Sequence, residues 1–164
     1  MGTTANYALR YPALSDTPDG ATQIENLAED VDAALDGVAN PTFSSYTPAV
    51  GNGGTVTWTT RTGWYAKHGK WVFFNVYLVV NAAGSGASGV TIDAPSNIDR
   101  TTRQPVAGLM LQASAHNGSL VLQANTSGSG ATFDRLNDSG GTQITGAMLT
   151  AGAVIAIQGS YREA

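Results

Sequence analysis

The chain of 164 residues contains no cysteine, which excludes disulfides and thiol chemistry and leaves the redox compartment open. Only 12% of its residues are charged, and its bases form no Lys/Arg stripe of the kind that binds nucleic acid. No apolar run approaches the roughly 20 residues that span a bilayer, so we expect no membrane insertion. The first residues lack a basic segment followed by an apolar one, so no signal peptide is predicted and synthesis in the cytoplasm is expected.

Patterns of catalytic or metal-binding residues are also missing. The histidines, His68 and His116, have no nearby acid–nucleophile pattern, and no His-x-x-x-His or paired-acid motif predicts metal ligands. Asp134 and Asp138 are interpreted as solvated loop acids and not as a glycosidase pair. We therefore expect no enzymatic activity, no metal and no cofactor.

The most informative stretch is the run from Lys70 to Val80, which alternates with a period of two. One set of alternate positions is aliphatic or aromatic throughout: Val72, Phe74, Val76, Leu78 and Val80. The other set is mostly aromatic with one polar break: Trp71, Phe73, Asn75, Tyr77 and Val79. Such residues predict a strand whose first face is buried. A domain of this size does not usually cover both faces of so long a strand, so we expect the second face to meet another copy of the chain or, as the less favoured alternative, a ligand.

The region after Asn40-Pro41 reads as strands separated by turns rich in glycine. The predicted strands are Phe43–Thr47, Gly54–Arg61, Gly63–His68, Lys70–Asn81, Gly89–Asp93, Pro105–His116, Ser119–Thr126, Ala131–Leu136, Gln143–Met148 and Ala153–Arg162. Tight hairpins are expected at Lys67–Lys70 and at Asn117-Gly118. The pattern predicts an antiparallel β sandwich, jelly-roll-like, as a head domain over residues 41–164.

A helix is predicted over residues 21–38. Asp19 can cap its first turn, Thr22-Gln-Ile-Glu25 fits a capping box, and Gly37 is expected to end it. Its apolar residues step by three and four, with Leu35 beside them; we name this set the helix seam: Ile24, Leu27, Val31, Ala34, Leu35 and Val38. Isoleucine at an a position and the widened seam favour a short parallel coiled coil of three helices. The alternative is a helix packed on its own β domain.

Residues 1–20 read as an extended arm, because Tyr11-Pro12 and Thr17-Pro18-Asp19-Gly20 disfavour helix. Its apolar side chains are too many for an idle tail, and we expect them to dock onto another protein: Tyr7, Leu9, Tyr11 and Leu14. A disordered terminus is the alternative.

Charge is distributed unevenly along the chain. Residues 1–40 carry seven acids against Arg10, a net charge of −6, and residues 41–164 carry seven bases against five acids, a net charge of +2.

Aromatic residues concentrate in one part of the predicted head. Trp and Tyr offer a flat apolar face with a polar edge, which suits stacking on sugars. Three of them are candidate contacts for surface carbohydrate: Trp58, Trp64 and Tyr65. The favoured alternative is that the aromatics fill the core and a trimer interface.

Three stretches resemble one family of proteins. The opening "YALRYPALSDTPDGATQIENLAEDVDAAL" is similar to the N-terminus of minor tail or fibre proteins of bacteriophages that infect actinobacteria. "FSSYTPAV…TGWYAKHGKWVFFNVYLVV" resembles the start of the β head in the same proteins, and "AGAVIAIQGSYREA" resembles their closing strand. The resemblance implies a homotrimeric virion protein with a bundle-forming helix and a β-sandwich head.

The resulting hypothesis is a structural protein of a bacteriophage virion, a short fibre or tail-tip protein. It would be attached by its arm to other virion proteins and would display the β head, for which binding of host surface carbohydrate is the less favoured role. The alternatives are a capsid decoration or head fibre with no receptor role, and a free-standing trimeric module resembling a lectin.

Overall fold

The computed structural model describes residues 2–3, 9–11, 19–39, 41–111, 118–128 and 130–164. The chain divides into two compact units, residues 1–42 and residues 43–164. About half of the residues (51%) are in strands, all paired strands are antiparallel, and the described residues contain one α helix. The expectation of a mainly β protein with antiparallel sheets is confirmed.

The first unit consists of a two-stranded ladder and the helix. Strand β1 (Gly2–Thr3) pairs antiparallel with β2 (Arg10–Tyr11), and helix α1 spans Gly20–Ala39.

Asp19 caps helix α1 as predicted. Its Oδ1 accepts the Thr22 N–H at 3.2 Å, and the Thr22 hydroxyl donates to its Oδ2 at 2.9 Å. Both hydrogen bonds lower the pKa of Asp19, and the one from the Thr22 hydroxyl has the larger effect. Thr22 therefore serves the Asp19 cap and does not begin the predicted box with Glu25. The prediction that Gly37 ends the helix is wrong, because the helix continues to Ala39, where Pro41 two residues later disfavours further helix.

The second unit contains two antiparallel sheets. Its strands are β3 (Ser44–Tyr46), β4 (Val50–Gly51), β5 (Thr57–His68), β6 (Trp71–Ala82), β7 (Thr91–Asp93), β8 (Gln104–Leu111), β9 (Gly118–Ala124), β10 (Thr132–Phe133), β11 (Arg135–Asp138) and β12 (Val154–Arg162). The large sheet has seven strands in the order β11-β9-β8-β12-β6-β5-β3, and the small sheet has the order β10-β7-β4.

The core lies on the inner face of the large sheet, which we define by the buried side chains of β6. These are the positions that the period-two pattern predicts: Val72, Phe74, Val76, Leu78 and Val80. Side chains of the small sheet join the same buried cluster, and the Phe133 ring stacks on the Phe74 ring with centroids 5.5 Å apart. The Tyr161 ring packs edge-on against both. The two sheets therefore share one hydrophobic core.

Four predicted strands differ from the observed ones for local reasons. Residues 57–68 form one strand and not two, because Gly63 stays in the ladder and leaves room for the Tyr46 ring, which an added Cβ would approach to 2.3 Å. The predicted strand 131–136 is divided between the two sheets at Asp134, whose carboxylate binds Arg100 and the Asn125 N–H. The predicted strand 143–148 is a pair of isolated bridges followed by a 3₁₀ turn at Gly146–Met148.

The strands on either side of both predicted hairpins pair antiparallel, as expected. β5 and β6 are joined through Gly69, whose φ of +59° is the left-handed conformation that a two-residue turn needs. β8 and β9 pair with Met110 opposite Gly118. Gly118 is the first residue of β9, and residues 112–117, including His116 and Asn117, lie outside the described residues, so the turn at Asn117-Gly118 stays a prediction.

Tyr161 provides a test of this core. Its ring is fully buried, and its hydroxyl accepts the Ser96 N–H at 3.0 Å and donates to the Ser96 carbonyl at 3.1 Å. We expect Tyr161→Phe to lower the free energy of unfolding by about 1–3 kcal/mol, because it leaves two backbone groups unpaired. The matched control Tyr77→Phe removes an exposed hydroxyl and should change it by less than about 0.5 kcal/mol. Urea unfolding followed by tryptophan fluorescence measures both, and equal effects would contradict this role for Ser96.

Candidate interaction surfaces

The large sheet turns a mostly apolar face away from its core. We name this surface the outer face; its large side chains are 41–52% exposed and come from β5, β6 and β8: Trp64, Trp71, Phe73, Tyr77, Leu109 and Leu111. The period-two alternation of β6 produces it, since each buried position is followed by an exposed one. The ladder between β6 and β12 adds Ala156 opposite Tyr77 and Gln158 opposite Asn75.

A groove crosses the middle of the outer face. Small side chains of β8 and β12, Ala107 and Ala156, lie low between the larger side chains of Trp64, Tyr77 and Leu109. The polar groups that line the groove are uncharged: Thr62, Asn75 and Gln158. Among the outer-face residues of the four strands β5, β6, β8 and β12, the formally charged one is Arg162, at the end of β12. The surface therefore offers apolar contact and neutral hydrogen bonds.

The three predicted carbohydrate contacts do not share one surface. Trp64 is half-exposed on the outer face. Trp58 and Tyr65 are partly buried and pack against the core, where Tyr65 meets Tyr46 edge-on at 5.9 Å. A shift in the register between β5 and β6 at Trp58 pairs this residue with the buried Val80. The sequence missed Leu109 and Gln158 as neighbours of Trp64, because only the strand order brings them together.

The helix seam is exposed within the first unit. Ile24 is 70% exposed and Leu35 57%, Leu27 and Val31 are also exposed, and Ala34 is half-buried. Val38 is in the helix, but its side chain lies outside the described residues. An apolar stripe in water is a cost to an isolated helix, so the seam is a second candidate surface for a partner.

The described part of the arm is held against the helix by Arg10. The Arg10 Nε donates to both carboxylate oxygens of Asp30 at 2.9 and 3.0 Å, and its Nη1 donates to the Asn26 Oδ1 at 2.9 Å. Its Nη2 reaches Glu29 at 3.3 Å. Arg10 is the single base among the seven acids of residues 1–40, which explains why it folds back onto the helix. Asn26 and Asp30 lie beside the seam, so the contacts of Arg10 leave the seam residues exposed.

Of the other predicted anchor residues, Leu9 is half-buried and Tyr11 is 49% exposed. Tyr7 and Leu14 lie outside the described residues.

Other kinds of site were sought in the same part of the chain. Among the described residues, no three His, Cys, Asp or Glu side chains come together as metal ligands. No described helix has the length and hydrophobicity to cross a membrane. The Arg100 side chain binds the Asp134 carboxylate at 2.6 Å and also donates to the carbonyl oxygens of Asn125 and Thr132. It therefore joins loops of the head.

Comparisons with protein-family models, curated proteins and solved structures give no match to this chain. The two surfaces therefore carry the functional argument.

We expect Arg10→Gln to release the arm from the helix, because it removes the charged hydrogen bonds to Asp30. Amide hydrogen exchange at residues 9–11 should become faster, while the exposed Arg103→Gln control leaves it unchanged. The Arg10 side chain, and then its N–H, lower the pKa of Asp30. Because docking lowers the pKa of Asp30, the ionised carboxylate stabilises the docked arm at pH values above the ordinary aspartate pKa. This stabilisation is lost as the pH falls through the lowered pKa. Exchange that is the same in wild type and Arg10→Gln would show that the arm is held by other contacts.

Proposed function

We propose that the protein is a homotrimeric structural protein of a bacteriophage virion, a short fibre or tail-tip protein with a jelly-roll-like β-sandwich head. The observation that carries the proposal is that each unit exposes an apolar surface, the helix seam in one and the outer face in the other. Two such surfaces on a chain with few charges favour an assembly of several copies.

The size of the outer face supports a protein partner. Aromatic side chains carry roughly 150–250 Å² each, so four half-exposed rings leave about 300–500 Å² uncovered. Leu109 and Leu111 extend this patch beyond the few hundred Å² that a monomer usually exposes. A stable interface covers about 800 Å² on each partner, a size that the outer face and its surroundings can supply.

The helix seam supports three copies. Its steps of three and four match a coiled coil, and Ile24 at an a position with Leu35 widening the seam favours a trimer over a dimer. Three acids of the helix lie away from the seam, since Glu25, Glu29 and Asp32 follow the opposite side of the helical wheel, and Asp30 beside the seam is paired with Arg10. Helices of neighbouring copies could therefore meet without bringing like charges into the seam.

The assignment to a virion rests on the sequence resemblance of the opening, the β5–β6 hairpin region and the closing strand. In this proposal the arm, with Tyr7, Leu9, Tyr11 and Leu14, binds another virion protein. Three arms on one trimer would act together, so that weak single contacts give firm attachment.

A second candidate function has its own observation. Trp64 and Tyr77 flank the uncharged groove with Asn75 and Gln158, a set of side chains that suits neutral carbohydrate. A receptor-binding head or a free-standing lectin-like module would use the groove in this way, whereas a capsid decoration would not.

Deletion of residues 2–18 tests attachment to the virion. We expect a protein that is still a trimer but no longer co-purifies with phage particles, because the deletion removes the arm and keeps the seam. A chain in which residues 2–18 are replaced by a glycine–serine segment of equal length is the matched control and should also fail to attach. Truncated protein at full occupancy on particles would place the anchor elsewhere.

A further inference from the structure

Two amide side chains lie side by side at the centre of the outer face. Asn75 of β6 and Gln158 of β12 are directly opposite each other in the ladder, and both are exposed. The pairs next to them on this face are Phe73 with Ser160 and Tyr77 with Ala156. A polar centre thus interrupts a surface that is otherwise mostly apolar.

The hydrogen bonds among the described residues leave much of this amide pair unused. Asn75 Oδ1 accepts the Trp64 N–H at 3.1 Å, which fixes the orientation of the amide and leaves its NH₂ donors available. The Gln158 amide has no hydrogen-bond partner among the described residues. The pair therefore offers both donors and acceptors, a combination that can bind the same pair on another copy.

Resting on the proposed trimer, we propose that Asn75 and Gln158 set the register of head association, by hydrogen bonding to the same amides of neighbouring copies across the outer face. Removing water from an amide without giving it a partner costs about 1–3 kcal/mol. A neighbour displaced by two residues along β6 would place the amides against Phe73 or Tyr77 and incur that cost. A buried asparagine fixes the register of coiled coils by the same physics.

A second copy fits this face better than carbohydrate does. A sugar stacked on Trp64 and Tyr77 would leave Trp71, Phe73 and Leu111 in water. A charged partner would find no counter-charge near the amides, since the central positions of the face are neutral. A copy of the same surface brings apolar area to apolar area and amide to amide.

Opposite changes at Gln158 test the proposal in the full-length chain. We expect Gln158→Glu to raise the concentration at which the oligomer dissociates by about tenfold or more, because like charges would meet between copies. Gln158→Leu should lower that concentration and give more than one oligomeric species, because it removes both the desolvation cost and the register. Sedimentation velocity over a range of concentrations measures both, and the emission of Trp64 and Trp71 reports whether the outer face is covered.

The control is Gln123, on the same face at the β9 position paired with Arg135, away from the centre. Gln123→Glu and Gln123→Leu should change dissociation by less than about twofold. If Phe73→Ser with Tyr77→Ser dissociates the heads while both Gln158 variants behave as wild type, the amide proposal is wrong and the proposed assembly stands. If the aromatic variant also leaves dissociation unchanged, the heads do not associate through the outer face, the amide proposal is wrong, and the oligomer is held by the helix seam alone. An unchanged oligomer in which Gln158→Glu abolishes binding of chitotetraose, used as a neutral sugar probe, would assign the face to carbohydrate and overturn the proposal.

Discussion

Strand β6 is the element on which the rest of the head depends. It is paired along its length with β5 on one side and β12 on the other, so its backbone hydrogen bonds are satisfied within the chain. Its side chains then have only two directions available. The side chains on the inner face pack in the hydrophobic core, where Ile92 and Phe133 of the small sheet cover them. The other direction carries aromatic residues that no described part of the head covers.

The first unit is built on a comparable imbalance. Helix α1 has one apolar stripe and many acids, and the base available in its own segment, Arg10, is engaged beside the stripe with Asp30. Arg10 therefore neutralises part of the helix, and Ile24 and Leu35 stay exposed. Both units thus leave apolar surface exposed, which is the pattern expected of a subunit.

The sequence predicted most of this fold because alternation and capping are local signals. The buried face of β6, the Asp19 cap and the β5–β6 hairpin all follow from residues within one segment. Gly63 misled the prediction because a glycine in a strand can mark either a break or a close approach, and the Tyr46 ring decides between them. Asp134 divides a predicted strand because Arg100, distant in sequence, binds its carboxylate.

The candidate surfaces were less accessible from the sequence. The seam could be read from the helical period alone, whereas the outer face needs the order of the strands. Trp58 and Trp64 are six residues apart and were grouped by sequence, but the register shift at Trp58 separates them onto opposite faces. No sequence pattern singled out Gln158, because its proposed role depends on its position opposite Asn75 in the ladder.

The central claim is that copies of this chain cover each other's apolar surfaces. Light scattering of the purified full-length protein tests it most directly, because it gives the mass without reference to shape. We expect a mass of about three times the chain mass of 16.8 kDa at micromolar concentration. A single species with the mass of one chain, at every concentration measured, would contradict it.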